Sequence, residues 1–235
     1  MDVSSIWSQW KWIKMENKTR TLDINTPVLD QNNRLAGENR RLFKDKGLFV
    51  LNLLSSPGAG KTALLERTLV DLAGELRIGV IVGDLQTDND ARRMSGKGAP
   101  VLQINTDGIC HLEAAMVQKA LSHFNLDELD VLIIENVGNL VCPASFDLGE
   151  DVKVALHSVT EGEDKPLKYP TLFKTASLAI LSKMDLAGVV EFDRYAAVKN
   201  IRQVAPQSAI LELSSRSGDG MLAWYDYLKK GVSEK

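Results

Sequence analysis

Seven short apolar runs punctuate the chain after Gly47: LFVLNLL, IGVIV, VLQIN, DVLIIE, VALHSV, LAILS and AILEL. They are continuous rather than alternating, which is the pattern of strands covered on both faces. Between most of them the apolar residues fall at helical spacing. One such stretch begins at Thr62 and carries Leu64, Leu65, Leu69, Leu72 and Leu76 on a broad apolar face. Others cover residues 112–124, 192–204 and 220–230, and residues 28–46 read as a helix that stops at Gly47. Strands and helices in alternation predict an α/β fold, a mainly parallel sheet with helices on both faces. Residues 22–235, including the N-terminal helix, read as one domain without internal repeat or long linker. Residues 1–21, with Trp7, Trp10 and Trp12 among polar neighbours, read as a flexible arm.

The first apolar run leads straight into Ser-Ser-Pro-Gly-Ala-Gly-Lys-Thr, Ser55 to Thr62, and a helix follows. Strand, glycine-rich turn and helix in this order form a phosphate-binding loop. Backbone N–H groups converge on an anion, and the helix start adds positive potential. Gly58, Ala59, Gly60, Lys61, Thr62 and Ala63 are the predicted nucleotide contacts. Lys61 neutralises the β- and γ-phosphates, and Thr62 offers its hydroxyl to Mg²⁺. Ser55 stands where the motif usually has its first glycine, which is tolerable if its φ stays negative.

Mg²⁺ bound to a nucleotide needs carboxylates at the ends of neighbouring strands. Asp84 ends the second run and Glu135 the fourth, so Thr62, Asp84 and Glu135 form the expected magnesium set. Asp88 and Asp90 lie beyond Asp84, in a stretch that also reads as a helix start. Gly138 can give its N–H to a γ-phosphate, so Lys61, Asp84, Glu135 and Gly138 are the candidate catalytic residues. The next residue, Asn139, occupies the place of a water-orienting glutamine in many small GTPases, and no intrinsic arginine finger is evident, so slow turnover is expected. Lys165 and Lys168 are candidate cations for a dimer partner's site.

The sixth run ends in Ser182-Lys183-Met184-Asp185. GTPases commonly read guanine with N-K-x-D at such a strand end. The carboxylate accepts from the ring N–H and the exocyclic amine, and the lysine stem lies along the base. Lys183 and Asp185 are in place, Ser182 replaces the asparagine, and Ser214 and Ser215 stand where such proteins often close over the base. This favours GTP over ATP and speaks against a small-molecule kinase.

Composition changes the picture little. With 31 acidic against 28 basic residues, the chain is not a general nucleic-acid coat. No apolar run approaches the roughly 20 residues of a membrane span, and the first residues lack a signal-peptide core, so a cytoplasmic protein is expected. The two cysteines, Cys110 and Cys142, do not make a disulfide framework. Cys110 adjoins His111, and Cys142 follows Glu135 by seven residues. Thiolate and imidazole suit Zn²⁺ or Ni²⁺, yet buried cysteines and lone histidines are also ordinary core residues. Spacing leaves both readings open, and His123 and His157 read as structural.

Taken together, LNLLSSPGAGKTALLE, VGDLQTDNDA, GAPVLQINTDGICHLEA, DVLIIENVGNLVCPASFDLGE, SVTEGEDKPLKYP and AILSKMDL resemble the nickel-insertion GTPase family of hydrogenase maturation. The resemblance spans residues 22–228. It implies a phosphate-loop NTPase of the dimerising SIMIBI class, GTP and GDP as ligands with Mg²⁺, and a homodimer. It implies that Cys110, His111 and Cys142 hold Ni²⁺ or Zn²⁺ near the subunit boundary. It also implies a nickel-delivery accessory protein and a hydrogenase large-subunit precursor as partners. Nickel insertion into urease is a second expectation within the superfamily, and a non-catalytic, nucleotide-dependent interaction protein a third. Three departures stand out. The N terminus lacks the C-x-x-C-G-C cluster and histidine-rich tract of many members, Ser182 replaces asparagine, and Gln86 stands where relatives often have a small residue.

Overall fold

In a computed structural model, which describes residues 25–84, 89–94 and 96–235, all seven apolar runs are strands of one sheet. They are β1 (Phe49–Leu54), β2 (Ile78–Asp84), β3 (Val101–Asn105), β4 (Val131–Glu135), β5 (Val152–Ser158), β6 (Leu178–Ser182) and β7 (Ala209–Glu212). The order is β3-β2-β4-β1-β5-β6-β7, and every pair is parallel. The chain leaves central β1 towards β2 and β3, returns as β4, then builds β5 to β7 on the other side. Such a reversal leaves a crevice at the carboxyl ends of the central strands, where open α/β sheets bind ligands.

Among the described residues the helices are α1 (Asn25–Asp45), α2 (Lys61–Asp71), α3 (Asn89–Met94), α4 (Ala114–Leu121), α5 (Cys142–Ser145), α6 (Lys165–Lys168), α7 (Pro170–Thr175), α8 (Arg194–Val204) and α9 (Met221–Ser233). Strand β1 is buried along its whole length. Phe49, Leu51 and Leu53 share a core with Leu64, Leu65 and Leu69 of α2 and with Trp224 and Leu228 of α9. Val50 faces the other way, with Phe43 of α1 and Val117 and Leu121 of α4. Leu54 joins Phe173 of α7 and Ile201 of α8 in a third cluster. Both faces are therefore dry, and this is why the strands read as continuous apolar runs.

The helix after the phosphate loop is shorter than its leucine spacing suggests. It ends at Asp71, and Gly74 turns the chain at φ +83°. Leu72 and Leu76 pack on the same core from outside the helix. Helix α4 likewise occupies only the middle of residues 112–124. The short helices α5 to α7 lack the length for a periodic signal. Gln86, Asp88 and the three N-terminal tryptophans lie outside the described residues.

Helix α1 packs against α4 and over the loop before β5 through buried amides. Asn39 Nδ2 donates to Leu148 O and Ala114 O, both at 3.0 Å. Asn32 Nδ2 donates to Asp147 O at 2.7 Å, and its Oδ1 accepts from Ala114 N at 2.8 Å. Beneath them Gly149 has φ +93°, and a Cβ there would sit 2.7 Å from Ala36 O. Gly149→Ala is expected to lower stability by about 1–3 kcal/mol, through overpacking against backbone that cannot rotate away. Gly37, inside the same helix with open space around it, is the control. Gly37→Ala is expected to raise stability by about 0.5–1 kcal/mol. Chemical denaturation of both variants checks the pair.

Candidate nucleotide site and Cys-His-Cys cluster

The crevice predicted by the strand order is a cleft of about 440 Å³. Its lining includes Gly58, Gly60, Lys61 and Thr62 from the phosphate loop, Asp84 from β2, Glu135 from β4, and Gly138. Gly58 and Gly60 adopt φ +74° and +102°, a backbone open to glycine. Gly60 caps α2 without a side-chain hydrogen bond, so the first N–H groups of that helix are offered to an anion. Ser55 is not among the positive-φ residues. Its hydroxyl accepts from Lys61 Nζ at 3.0 Å and donates to Ser56 O at 2.7 Å.

Thr62 Oγ1 donates to Glu135 Oε1 at 2.8 Å, and Glu135 Oε2 is buried with no hydrogen-bond partner among the described residues. Burial pushes the Glu135 carboxyl up to about 7, although the Lys61 ammonium and the Thr62 hydroxyl pull the other way. Burial also lowers the Lys61 ammonium, against the attraction of Glu135. A carboxylate with one oxygen on the loop threonine and the other without a partner suits Mg²⁺ and its waters. Asp84 ends β2 beside it. Asp90 and Arg93 of α3 also line the cleft, and Arg93 pairs with Glu66 at 2.5 Å. Asp90 also stands in the first turn of α3, as the helix-start reading expects.

A second hollow of about 250 Å³ adjoins the first, sharing Gly60, Ala63 and Lys183 with it, and is lined by Asp185, Ser214 and Ser215. Asp185 Oδ1 accepts from Ser214 Oγ at 2.6 Å, which fixes the carboxylate. Lys183 adopts φ +59°, and its Nζ reaches Gly58 O at 2.7 Å, laying the stem across the phosphate loop. Ser182 Oγ donates to Ala59 O at 2.7 Å. The serine therefore makes a bond from strand end to phosphate loop despite replacing an amide.

Cys110, His111 and Cys142 converge. One ligand atom from each lies within 4.8 Å of the others. The His111 ring lies against Phe146, tilted by 33° with centroids 3.9 Å apart, and its Nε2 is 3.7 Å from Glu113 Oε1. Burial lowers the His111 imidazole despite Glu113, which favours the neutral ring that binds metals. The Cys142 thiol is raised, first by its hydrogen bond with Cys110 and then by burial. Two sulfurs and one imidazole fit the borderline-soft ions Ni²⁺ and Zn²⁺.

Several contacts went unread in the sequence. Asn136 Oδ1 accepts from Leu112 N at 3.1 Å, beside His111, and its Nδ2 donates to Asn52 Oδ1 at 3.2 Å. Asn139 Nδ2 donates to Cys110 O at 3.2 Å, so this residue faces the cysteines. Ser56 hydrogen-bonds Glu161, whose Oε2 lies 3.7 Å from both His157 Nδ1 and Lys165 Nζ. Lys168 pairs with Asp164 at 2.6 Å. One signal was available. Asn52 interrupts an otherwise apolar strand, and a polar side chain there requires a buried partner. His157 is buried near Phe173 and Phe192, as a structural histidine would be, and His123 lines a separate hollow at the opposite strand ends.

The raised Glu135 carboxyl has a measurable consequence. Its folded value lies above the unfolded one, so the stability it contributes is present at low pH and lost as pH rises through about 7. From pH 6 to pH 8 the ligand-free protein is expected to lose on the order of 1 kcal/mol relative to Glu135→Gln. Urea denaturation of both proteins at the two pH values checks this.

The comparisons with known proteins agree with this geometry. A family model described as CobW/HypB/UreG, nucleotide-binding domain, matches residues 49–212. Hydrogenase maturation factor HypB of Escherichia coli (strain K12) is 50% identical over 213 residues, which cover 91% of this chain and 73% of that protein. The crystal structure of HypB from Helicobacter pylori in complex with nickel superposes with a TM-score of 0.83 at 40% identity, covering 87% of this chain and 96% of that one. At the level of fold alone, the LAO/AO transport system kinase matches at 18% identity and a TM-score of 0.55, over 91% of this chain and 78% of its own. A parallel sheet with a phosphate loop at its centre, a Cys-His-Cys cluster beside it and identity of this extent place the chain in the CobW/HypB/UreG family, as a member of the HypB hydrogenase-maturation type.

Proposed function

We propose that this chain is a GTP-hydrolysing metallochaperone that assists nickel insertion into the [NiFe]-hydrogenase large-subunit precursor, with a nucleotide-coupled metal site at or near a homodimer interface. One observation carries the reading. The segment that begins at Glu135, in the nucleotide cleft, ends seven residues later at Cys142 in the cluster. Within it, a Cβ on Gly138 would sit 3.0 Å from Cα and N of Pro57, so the phosphate loop and this segment touch directly.

The chemistry follows from the residues. Backbone N–H groups of residues 58–62 hold the phosphates, and Lys61 balances the β- and γ-oxygens. Mg²⁺, held by Thr62 and Glu135 with Asp84 nearby, would supply further neutralisation there. Gly138 N–H orients the γ-phosphate. Asp185, steadied by Ser214, accepts from guanine, and Lys183 underlies the base. Arg93, paired with Glu66, is not poised as a finger, and turnover of about 10⁻⁴ to 10⁻² s⁻¹ is expected. The cluster offers three ligands per chain, and exposed Ile109 and Val141 flank it. A second copy, a nickel-delivery accessory protein and the hydrogenase precursor are the proposed partners. The proposed location is the cytoplasm, and no helix among the described residues is long and apolar enough to cross a membrane.

Urease maturation is disfavoured because Cys142-Pro143 is followed by Ala144, where the urease-type family carries Cys-Pro-His. Measuring phosphate release separates this reading from a non-catalytic, nucleotide-dependent interaction module.

Guanine selection is expected to depend on Asp185. Asp185→Asn leaves two ring donors without their acceptor, at about 1–3 kcal/mol. It should weaken GTP and favour xanthosine triphosphate in competition titrations. Equal competition by ATP in the native protein would refute the guanine assignment.

Coupling is tested by Ni²⁺ titration and oligomeric state with GDP and with a non-hydrolysable GTP analogue. Metal affinity is expected to differ between the two states, to fall with pH because the thiols must ionise, and to collapse in Cys142→Ala. Linkage requires the metal to shift nucleotide affinity by the same factor. Equal affinity in both states would refute the coupling and leave the GTPase reading standing.

A further inference from the structure

Segment 135–142 is tied to the Cys110–Leu112 loop on both sides of Gly138. Before the glycine, Asn136 accepts from Leu112 N and is fully committed inside the protein, with Oδ1 also accepting from Val137 N at 2.9 Å. After it, Asn139 reaches two groups of the cluster loops. Its Nδ2 donates to Cys110 O at 3.2 Å, and its Oδ1 accepts from Val141 N at 2.9 Å. Val141 is the N-cap of α5, the helix that starts with Cys142. One amide thus links the backbone carbonyl of Cys110 to the N–H of Val141, the residue before Cys142.

We infer that Asn139 is a positioning residue of the Cys110–His111–Cys142 site, setting the separation of the two thiolates and passing movements of Gly138 to them. By sequence it stands where many small GTPases carry a water-orienting glutamine. The geometry directs its amide to the cysteine loops instead. The two asparagines also differ in kind. Asn136 is buried in a hydrogen-bonded chain through Asn52 to Glu150, and anchors the base of the segment. Asn139 is only part-buried and lies on the side that follows Gly138. Residues outside the ligand set that orient ligands typically change metal affinity by 10–100-fold when removed.

The inference rests on the metal-site reading above, and the experiment separates the two. Ni²⁺ alone is titrated into the full chain and followed by thiolate-to-nickel absorption. The proteins are the native chain, Asn139→Ala, Asn139→Gln and Cys142→Ala, each with GDP and with the GTP analogue, and phosphate release is measured in parallel. Asn139→Ala is expected to weaken Ni²⁺ by about 10-fold or more, to reduce any difference between nucleotide states, and to hydrolyse GTP near the native rate. Asn139→Gln keeps an amide on a longer stem that misses Cys110 O, and its nickel affinity is expected to fall too. If Asn139→Ala loses hydrolysis as well, Asn139→Gln decides. Unchanged nickel affinity in the Asn139 variants, beside lost binding in Cys142→Ala, overturns this inference alone. Absence of nickel binding in the native chain, or undiminished binding in Cys142→Ala, overturns the metal-site reading and the inference with it.

Discussion

Strand β4 is paired on both sides, and this constraint orders the rest of the site. Glu135 lies opposite Leu53 of β1 and Val82 of β2. A strand held by two ladders in a dry sheet cannot slide, because a shift would leave buried backbone N–H and C=O groups unpaired on both sides. The chain after Glu135 therefore leaves the sheet at one height, between the phosphate loop that follows β1 and Asp84 at the end of β2. Everything from Glu135 to Cys142 is placed by that exit. The carboxylate meets Thr62, Gly138 meets Pro57, and Asn139 meets the loop carrying Cys110.

A polar thread through the apolar interior stabilises this arrangement laterally. Glu150 accepts from Asn52 at 3.1 Å and from Leu148 N at 2.7 Å, Asn52 accepts from Asn136, and Asn136 holds Leu112 N. Each group would be costly to leave unpaired in such surroundings. The thread thus specifies which loops lie side by side more than it adds net stability. Burial raises the Glu150 carboxyl, with Lys153 and Asn52 acting against it. Helix α1 closes the same network from outside through Asn32 and Asn39, so the N-terminal helix belongs to the scaffold of the cluster although it supplies no ligand.

The strands were legible because both sheet faces are dry, and the phosphate loop because strand, glycines and helix occur in register. Lys183, Asp185 and Ser214 were legible as candidates from their order, and they line one hollow beside that loop. The cluster was not legible from spacing: 32 positions separate Cys110 from Cys142, and only the sheet order brings their loops together. The resemblance to a family supplied what spacing could not. Asn136, and the bond of Asn139 to the cysteine loop, escaped notice for a related reason. An asparagine in a loop is ordinary in sequence, and its role depends on backbone groups of a distant loop. Helix ends were missed where turns such as that at Gly74 interrupt a leucine pattern that continues in packing but not in backbone.

The clamps on the phosphate loop share one chemical sense. Ser182 takes Ala59 O, Lys183 takes Gly58 O, and the Ser55 hydroxyl takes Ser56 O. All three bind carbonyl oxygens. A loop whose carbonyls are tied to the scaffold turns its N–H groups outward, and outward N–H groups at a helix start select anions. Two serines and a lysine, supplied by β6 and the loop itself, thereby do what an asparagine and a first glycine do elsewhere. A hydroxyl donates one bond where an amide can donate two, yet one bond suffices when a lysine from the next residue holds the adjacent carbonyl. The departures at Ser55 and Ser182 are thus complementary, both acting on the carbonyl side of the same turn and leaving its anion-binding side intact.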